Sequence, residues 1–224
     1  MAASRSNQSQ ETRAMIIRTA KEMFMKLGYR AVSTRLIAEA CGVTQPALYH
    51  HFKDKQALYL DVMRSVCDGT RSALGRMIGS EPDMRGRLYR FTAYMLASHP
   101  EDLSRMFHDI RHELAAESQR IIYELWRSAY LVPLIDIFGE GQRSGELRSS
   151  AQFGMTPEKS ARMLLGMINQ SLASAQTAIA GASAPQGGGA DAAGENGQKD
   201  WEPQAHMLVN VLLYGLSAAP PPSE

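Results

Sequence analysis

The sequence predicts an all-α protein of about nine helices, a three-helix head at 1–62 on a larger helical body at 63–224. Three observations carry that prediction. Apolar residues recur at three- and four-residue spacing along most of the chain, and no alternating strand pattern occurs. Gly and Pro punctuate these stretches at intervals that suit helix ends. Between Ser33 and Lys55, STRLIAEACGVTQPALYHHFKDK reads as two short helices joined by a tight turn.

In the first of those helices, Leu36, Ile37, Ala40 and Cys41 form the expected apolar stripe. Gly42 stands where a left-handed residue ends a helix, and Val43 offers an apolar contact just beyond it. Thr44 can N-cap the second helix, where Pro46 is tolerated because first-turn N–H groups have no helical partner. Ala47, Leu48 and Phe52 point to packing. Thr44, Gln45, Tyr49, His50 and Lys53 are left as a polar, aromatic and basic outer face. A helix-turn-helix presents such a face to base edges in the DNA major groove, although an ordinary helical hairpin shares the same grammar.

Taken in order, residues 1–10 are small and polar, with the composition of a disordered segment. A helix follows from Thr12 to Leu27, with Ile17, Ala20, Phe24 and Leu27 on one face and Gly28 to end it. Arg13 on it is either a DNA-backbone contact or a solvated arginine. Asp54 is placed to cap a long helix running to Ile78, with Ala57, Leu58, Val62 and Val66 as its stripe. Further helices are expected over Arg85–Ala97 and Glu101–His112. A strongly apolar one, Ala115–Gly139, should kink at Pro133, with Gly141 and Gly145 as breakers after it. Thr156-Pro157-Glu158 opens another, with Ala161, Leu164, Leu165, Ile168, Leu172 and Ala175 on one side. The last covers Gln204 to Leu216. Between them, 181–199 is Gly/Ala/Asn-rich and reads as a flexible loop.

Net charge is only +1, but residues 1–64 carry ten Lys/Arg against five Asp/Glu, and the remainder fourteen against eighteen. A basic head on an acidic body is the footprint of a nucleic-acid reader. Cys41 and Cys67 form no disulfide framework or zinc pattern. No signal-peptide core or membrane-length apolar run occurs, so the expectation is a cytoplasmic protein without membrane attachment. No phosphate-binding glycine loop, nucleophile elbow or zinc-protease motif is present, which argues against an enzyme, and no cofactor is implied.

GVTQPALYHHFKDKQAL resembles the recognition-helix signature of the TetR family of bacterial transcriptional regulators, down to its LY-x-HF-x-x-K core. The resemblance covers residues 11 to 65, and beyond them only the helical layout is similar. It implies that Arg35 and Gln45 read base edges, an arginine fork suiting guanine and a glutamine adenine. It implies that Tyr49 and Lys55 grip phosphate; Lys55 opposes the dipole of its helix unless a phosphate lies nearby. Pro46 and Ala47 could touch a thymine methyl, and Thr34 and Thr44 could donate to phosphate, with capping the alternative for Thr44. His50 replaces the bulky aromatic of the tetracycline-repressor type, so its role is open, while His51 agrees with both patterns.

The same resemblance implies a homodimer, a double-stranded DNA operator and a small-molecule effector. Leu164, Leu165, Ile168, Leu172, Met207, Leu208, Val211 and Leu212 on the last two helices are the candidate dimer surface. Met95, Phe107, His108, His112, Trp126 and Tyr130 are candidate effector-pocket residues, although aromatic stripes at this spacing are more often core. His108 and His112, four apart, would need a third ligand to hold a metal, and none is expected. The expected function is a ligand-responsive regulator, most simply a repressor; the alternative is an architectural DNA-binding protein without an effector.

Overall fold

A computed structural model describes residues 2–98, 110–181 and 201–215. Phe107, His108, most of the Glu101–His112 helix, nearly all of the 181–199 loop and Leu216 lie outside them. The described residues are predominantly helical, with no strand among them, as the periodicity predicts. The chain divides into two compact units, residues 1–73 with 102–130, and residues 74–101 with 131–224.

The first unit holds α1 (Ala2–Leu27), α2 (Thr34–Ala40), α3 (Gln45–His51), most of α4 (Lys55–Gly79) and α6 (Ala116–Trp126). Helix α1 starts about ten residues before the expected Thr12, absorbing the segment read as disordered. Its buried stripe is Ile16, Ala20 and Phe24; Ile17 is only half-buried and Leu27 is exposed, a one-residue shift of the expected face. These residues pack with Val32, Ile37, Ala38, Leu48, Phe52, Leu58 and Val62 into one core. Each fully buried aliphatic side chain of that kind stabilises the fold by about 1.5–3 kcal/mol. The Tyr59 ring meets Phe24 and Tyr29 edge-on, both at 5.0 Å.

The turn between α2 and α3 is fixed by local bonds. Ser33 caps α2 by accepting from the Leu36 amide at 3.1 Å. Gly42 is left-handed (φ 66°), while its amide donates to the Glu39 carbonyl and that of Val43 to Ala38. That pair of bonds is the Schellman arrangement, in which a left-handed residue closes the helix's last carbonyls. Thr44 caps α3 through the Ala47 amide at 3.3 Å, and Asp54 caps α4 through Ala57 at 2.7 Å. The α2 stripe differs from expectation. Ile37 and Ala38 are buried together with Thr34, while Leu36 and Ala40 are exposed and Cys41 half-buried. The helix meets the core along positions 34, 37 and 38, a face that hydropathy alone misassigns because it includes a threonine.

The second unit holds α5 (Met84–Ser98), α7 (Val132–Ser144), α8 (Ser150–Phe153), α9 (Pro157–Gly181) and α10 (Glu202–Tyr214). On α5, Leu88, Phe91, Thr92 and Met95 are buried as predicted. The segment read as one apolar helix is α6 and α7 joined by a π-helical stretch, Arg127–Leu131. Pro133 lacks an amide and crowds the carbonyl four residues earlier, so the ladder ahead of it shifts register. Gly145 ends α7 with φ 83°, as expected. Gly141 is not a breaker: the helix runs through it, and a Cβ there would collide with Met84.

Candidate nucleic-acid interface

Helices α2 and α3 bring most of the predicted DNA contacts together on the first unit. Arg35, Thr44, Gln45, Pro46, Tyr49, His50 and Lys53 are exposed, and Ala47 is half-buried. Their helices are anchored from below by Ile37 and Leu48, both fully buried, so the outer residues are free of packing duty.

Three predicted residues hold each other. The Gln45 amide nitrogen donates to Thr34 Oγ1 at 3.2 Å, and the same oxygen lies 3.1 Å from the Tyr49 hydroxyl. Thr34 itself is 8% exposed, which corrects its assignment as an outward phosphate donor. The Thr44 hydroxyl is engaged in capping, the alternative reading of that residue. Arg35 extends from the surface and pairs with Glu39 one turn on, Nε to Oε1 at 2.9 Å.

Lys55 opens α4 with its ammonium 4.1 Å above the Tyr29 ring, a cation–π seat that holds the charge in place. Burial, followed by the Asp54 and Glu113 carboxylates, raises the Tyr29 pKa, so its ring stays neutral. Arg13 pairs with Asp61 and lies 5.1 Å from the Phe52 ring, bracing the end of the recognition helix on α4. Its geometry is that of a structural clamp. Burial lowers the His51 pKa, with His50 and Arg13 adding to the effect. Sequence reasoning missed Glu39 and Tyr29 as partners of the site. The Glu39 pairing was legible from its i,i+4 spacing to Arg35, whereas the Tyr29 contact depends on how α1 and α4 pack.

The effector candidates fall in both units, and Phe107 and His108 lie outside the described residues. Met95 is a buried core residue of the second unit. In the first unit, Tyr130 is buried with its hydroxyl 3.2 Å from Thr70, Trp126 stacks between Tyr123 and Tyr130, and His112 is exposed. The first unit instead has a cavity of about 430 Å³ between α4 and α6. Its floor includes Cys67, Ile121 and Leu125, and Arg71 and Arg120 stand at its margin. Of the dimer candidates, Leu164, Leu165, Ile168, Leu172 and Leu208 are already buried within the chain, because α9 packs on α7, α5 and α10. Val211 and Leu212 are half-buried, and of these candidates only Met207 is exposed. Among the described residues no group of three or more His, Cys, Asp or Glu could hold a metal ion. No helix of the described residues is long and apolar enough to cross a membrane.

Arg35, Gln45 and Tyr49 are exposed on a capped helix-turn-helix, the arrangement of a DNA-reading head. Residues 16–62 match the family model of the bacterial regulatory proteins of the tetR family, so this stretch is a domain of the tetR type. The transcriptional activator FasR of Mycolicibacterium smegmatis is 36% identical over 78 residues, 35% of this chain and 36% of FasR. The class C tetracycline repressor protein of Escherichia coli is 52% identical over 46 residues, 20% of this chain and 21% of the repressor. The matches thus span about a third or less of those two relatives. The repressor KstR2 of Rhodococcus jostii is 25% identical over 140 residues, 61% of this chain and 68% of KstR2. Among solved structures, FadR of Bacillus subtilis in complex with stearoyl-CoA superposes with a TM-score of 0.69 at 18% identity, covering 91% of this chain and 99% of FadR. PfmR of Thermus thermophilus gives 0.62 at 22%, covering 90% and 98%. At those identities the likeness is one of fold.

Proposed function

We propose that the chain is a ligand-responsive transcriptional repressor, not an enzyme, acting in the cytoplasm as a homodimer on a palindromic DNA operator. The observation that carries this reading is the outer face of α2 and α3. Side chains suited to base edges (Arg35, Gln45) stand there beside Tyr49, suited to phosphate, with Lys53 just beyond α3 and Lys55 opening α4. A dimer would read two half-sites centred about 34–36 Å apart. In support of self-association, α9 and α10 border a groove of about 920 Å³ that includes Met163, Met167, Trp201 and Leu208. Exposed Met163 and Met207 lie on the same two helices, and a second copy of this chain is the occupant proposed for the groove.

Residues 1–62 would be the reading head and 63–224 the effector-binding and dimerising body. Two relatives carry the name repressor, which supports repression; FasR, named an activator, makes the sign a matter for experiment. The stearoyl-CoA in the FadR structure supports screening acyl thioesters first, with the cavity between α4 and α6 and neighbouring Trp126 as the place to look. An effector can release DNA only by binding the DNA-free state more tightly. The test is selection of duplexes from a random pool, followed by a reporter driven from the selected site. An inverted repeat and rising expression on addition of effector support the reading. Binding without sequence preference would instead indicate an architectural protein.

A further inference from the structure

Thr34 occupies the first turn of α2, yet Ser33 already caps that helix, so the Thr34 hydroxyl is not needed for capping. Its methyl would be as well buried in a valine. What the hydroxyl adds is a junction between two residues of α3: Gln45 Nε2 at 3.2 Å and Tyr49 Oη at 3.1 Å. Thr34 is buried, while both of its partners are exposed. We propose that Thr34 is a positioning residue for base readout, fixing Gln45 and Tyr49 before DNA arrives rather than contacting DNA itself. This deepens the regulator reading above and rests on it.

The chemistry has a direction. Gln45 spends one of its two amide hydrogens on Thr34 Oγ1, which leaves its carbonyl oxygen and the second amide hydrogen for a base edge. Thr34 in turn can give its own hydrogen to Tyr49, which leaves the phenol hydrogen for a phosphate. Such a chain of hydroxyls strengthens each successive bond. The free amide oxygen accepts from a base-edge donor, and in the major groove those are adenine N6 and cytosine N4. Thr34 therefore acts on which base is preferred at one position, not on the number of phosphates neutralised.

The test uses the full chain and a duplex that the wild type selects from a random pool. Thr34→Val keeps the shape and removes the hydroxyl, Thr34→Ser restores the hydroxyl, and Gln45→Ala marks the base pair that Gln45 reads. Thr34→Val should lose about tenfold discrimination at that base pair, and adding Gln45→Ala should cost nothing more. Thr34→Ser should keep it, and the salt slope should not move. Equal losses on every duplex, with a slope lower by about one per subunit, would make Thr34 a phosphate contact and overturn the proposal. No change in discrimination would overturn it as well. A separate arm needs no DNA: the free chain should show a nuclear Overhauser contact between the Gln45 side-chain amide and the Thr34 methyl. Its absence refutes the positioning role, whereas failure to select any duplex refutes the regulator reading alone.

Discussion

Glu39 sits one turn from Arg35 with its carboxylate on the face assigned to DNA, and neutralising it gives a quantitative expectation. In the free protein the pair cancels, with the two side chains 77% and 58% exposed. Glu39→Gln frees Arg35 from an exposed i,i+4 pair, which changes its availability by about twofold. It also removes a negative charge lying within a screening length of the phosphates, worth roughly another two- to threefold near 0.1 M salt. The expectation is about fivefold tighter binding per subunit on the selected duplex and about two- to threefold on a scrambled one, both diminishing as salt rises. Fluorescence anisotropy on both duplexes at three salt concentrations measures it, with Arg35→Ala as the contrasting variant. Arg35→Ala should lose roughly ten- to hundredfold on the selected duplex and far less on the scrambled one. If Glu39→Gln weakens only the selected duplex, the carboxylate itself accepts from a base, and the picture of Glu39 as a mere tether is wrong.

Lys55→Ala should lower the slope of log K against log salt by about one per subunit, and Tyr29→Leu should give part of that loss by unseating the ammonium; an unchanged slope for Lys55→Ala removes it from the phosphate contacts. Burial raises the Cys67 thiol to about 11, so only half-buried Cys41 should react quickly with a thiol reagent at pH 8, as mass spectrometry of the labelled peptides will report. Gly42→Ala forces a side chain into a left-handed turn and should cost about 1–2 kcal/mol of unfolding free energy in urea titrations. His51 has its folded pKa below 6.5, so the unfolded chain takes up that proton first. Stability should then fall as pH drops below 6.5 and level off beneath the folded pKa, and His51→Gln should flatten that dependence in urea midpoints measured from pH 7 to 5.

Sequence reasoning reached the head well because its signals are local. Gly42, Thr44 and Asp54 act through backbone atoms within a few residues, and the bonds appear where the residue types place them. It was less accurate wherever the answer depended on which face a neighbour covers. Leu36 and Leu27 read as core and are exposed, while Thr34 reads as polar surface and is buried, because only the docking of α1 and α2 decides the matter. The leucines of α9 looked available for a partner; packing on α7 and α10 had already covered them. Gly141 read as a helix breaker, but its lack of a side chain answers a demand from Met84 and Leu147 that no local pattern reveals.

The division of labour in α2 and α3 has a consequence for how binding preference can change over time. Arg35 and Pro46 are exposed, and the anchoring of their helices falls to Ile37, Leu48 and the capping residues. Such positions can drift one at a time with little penalty to folding. Gln45 cannot drift so freely, since its amide is tied to Thr34 and through it to Tyr49. Descendants of this chain that adopt a new target through position 45 should therefore carry a matching exchange at 34, and a library that varies 45 alone will sample mostly weakened readers.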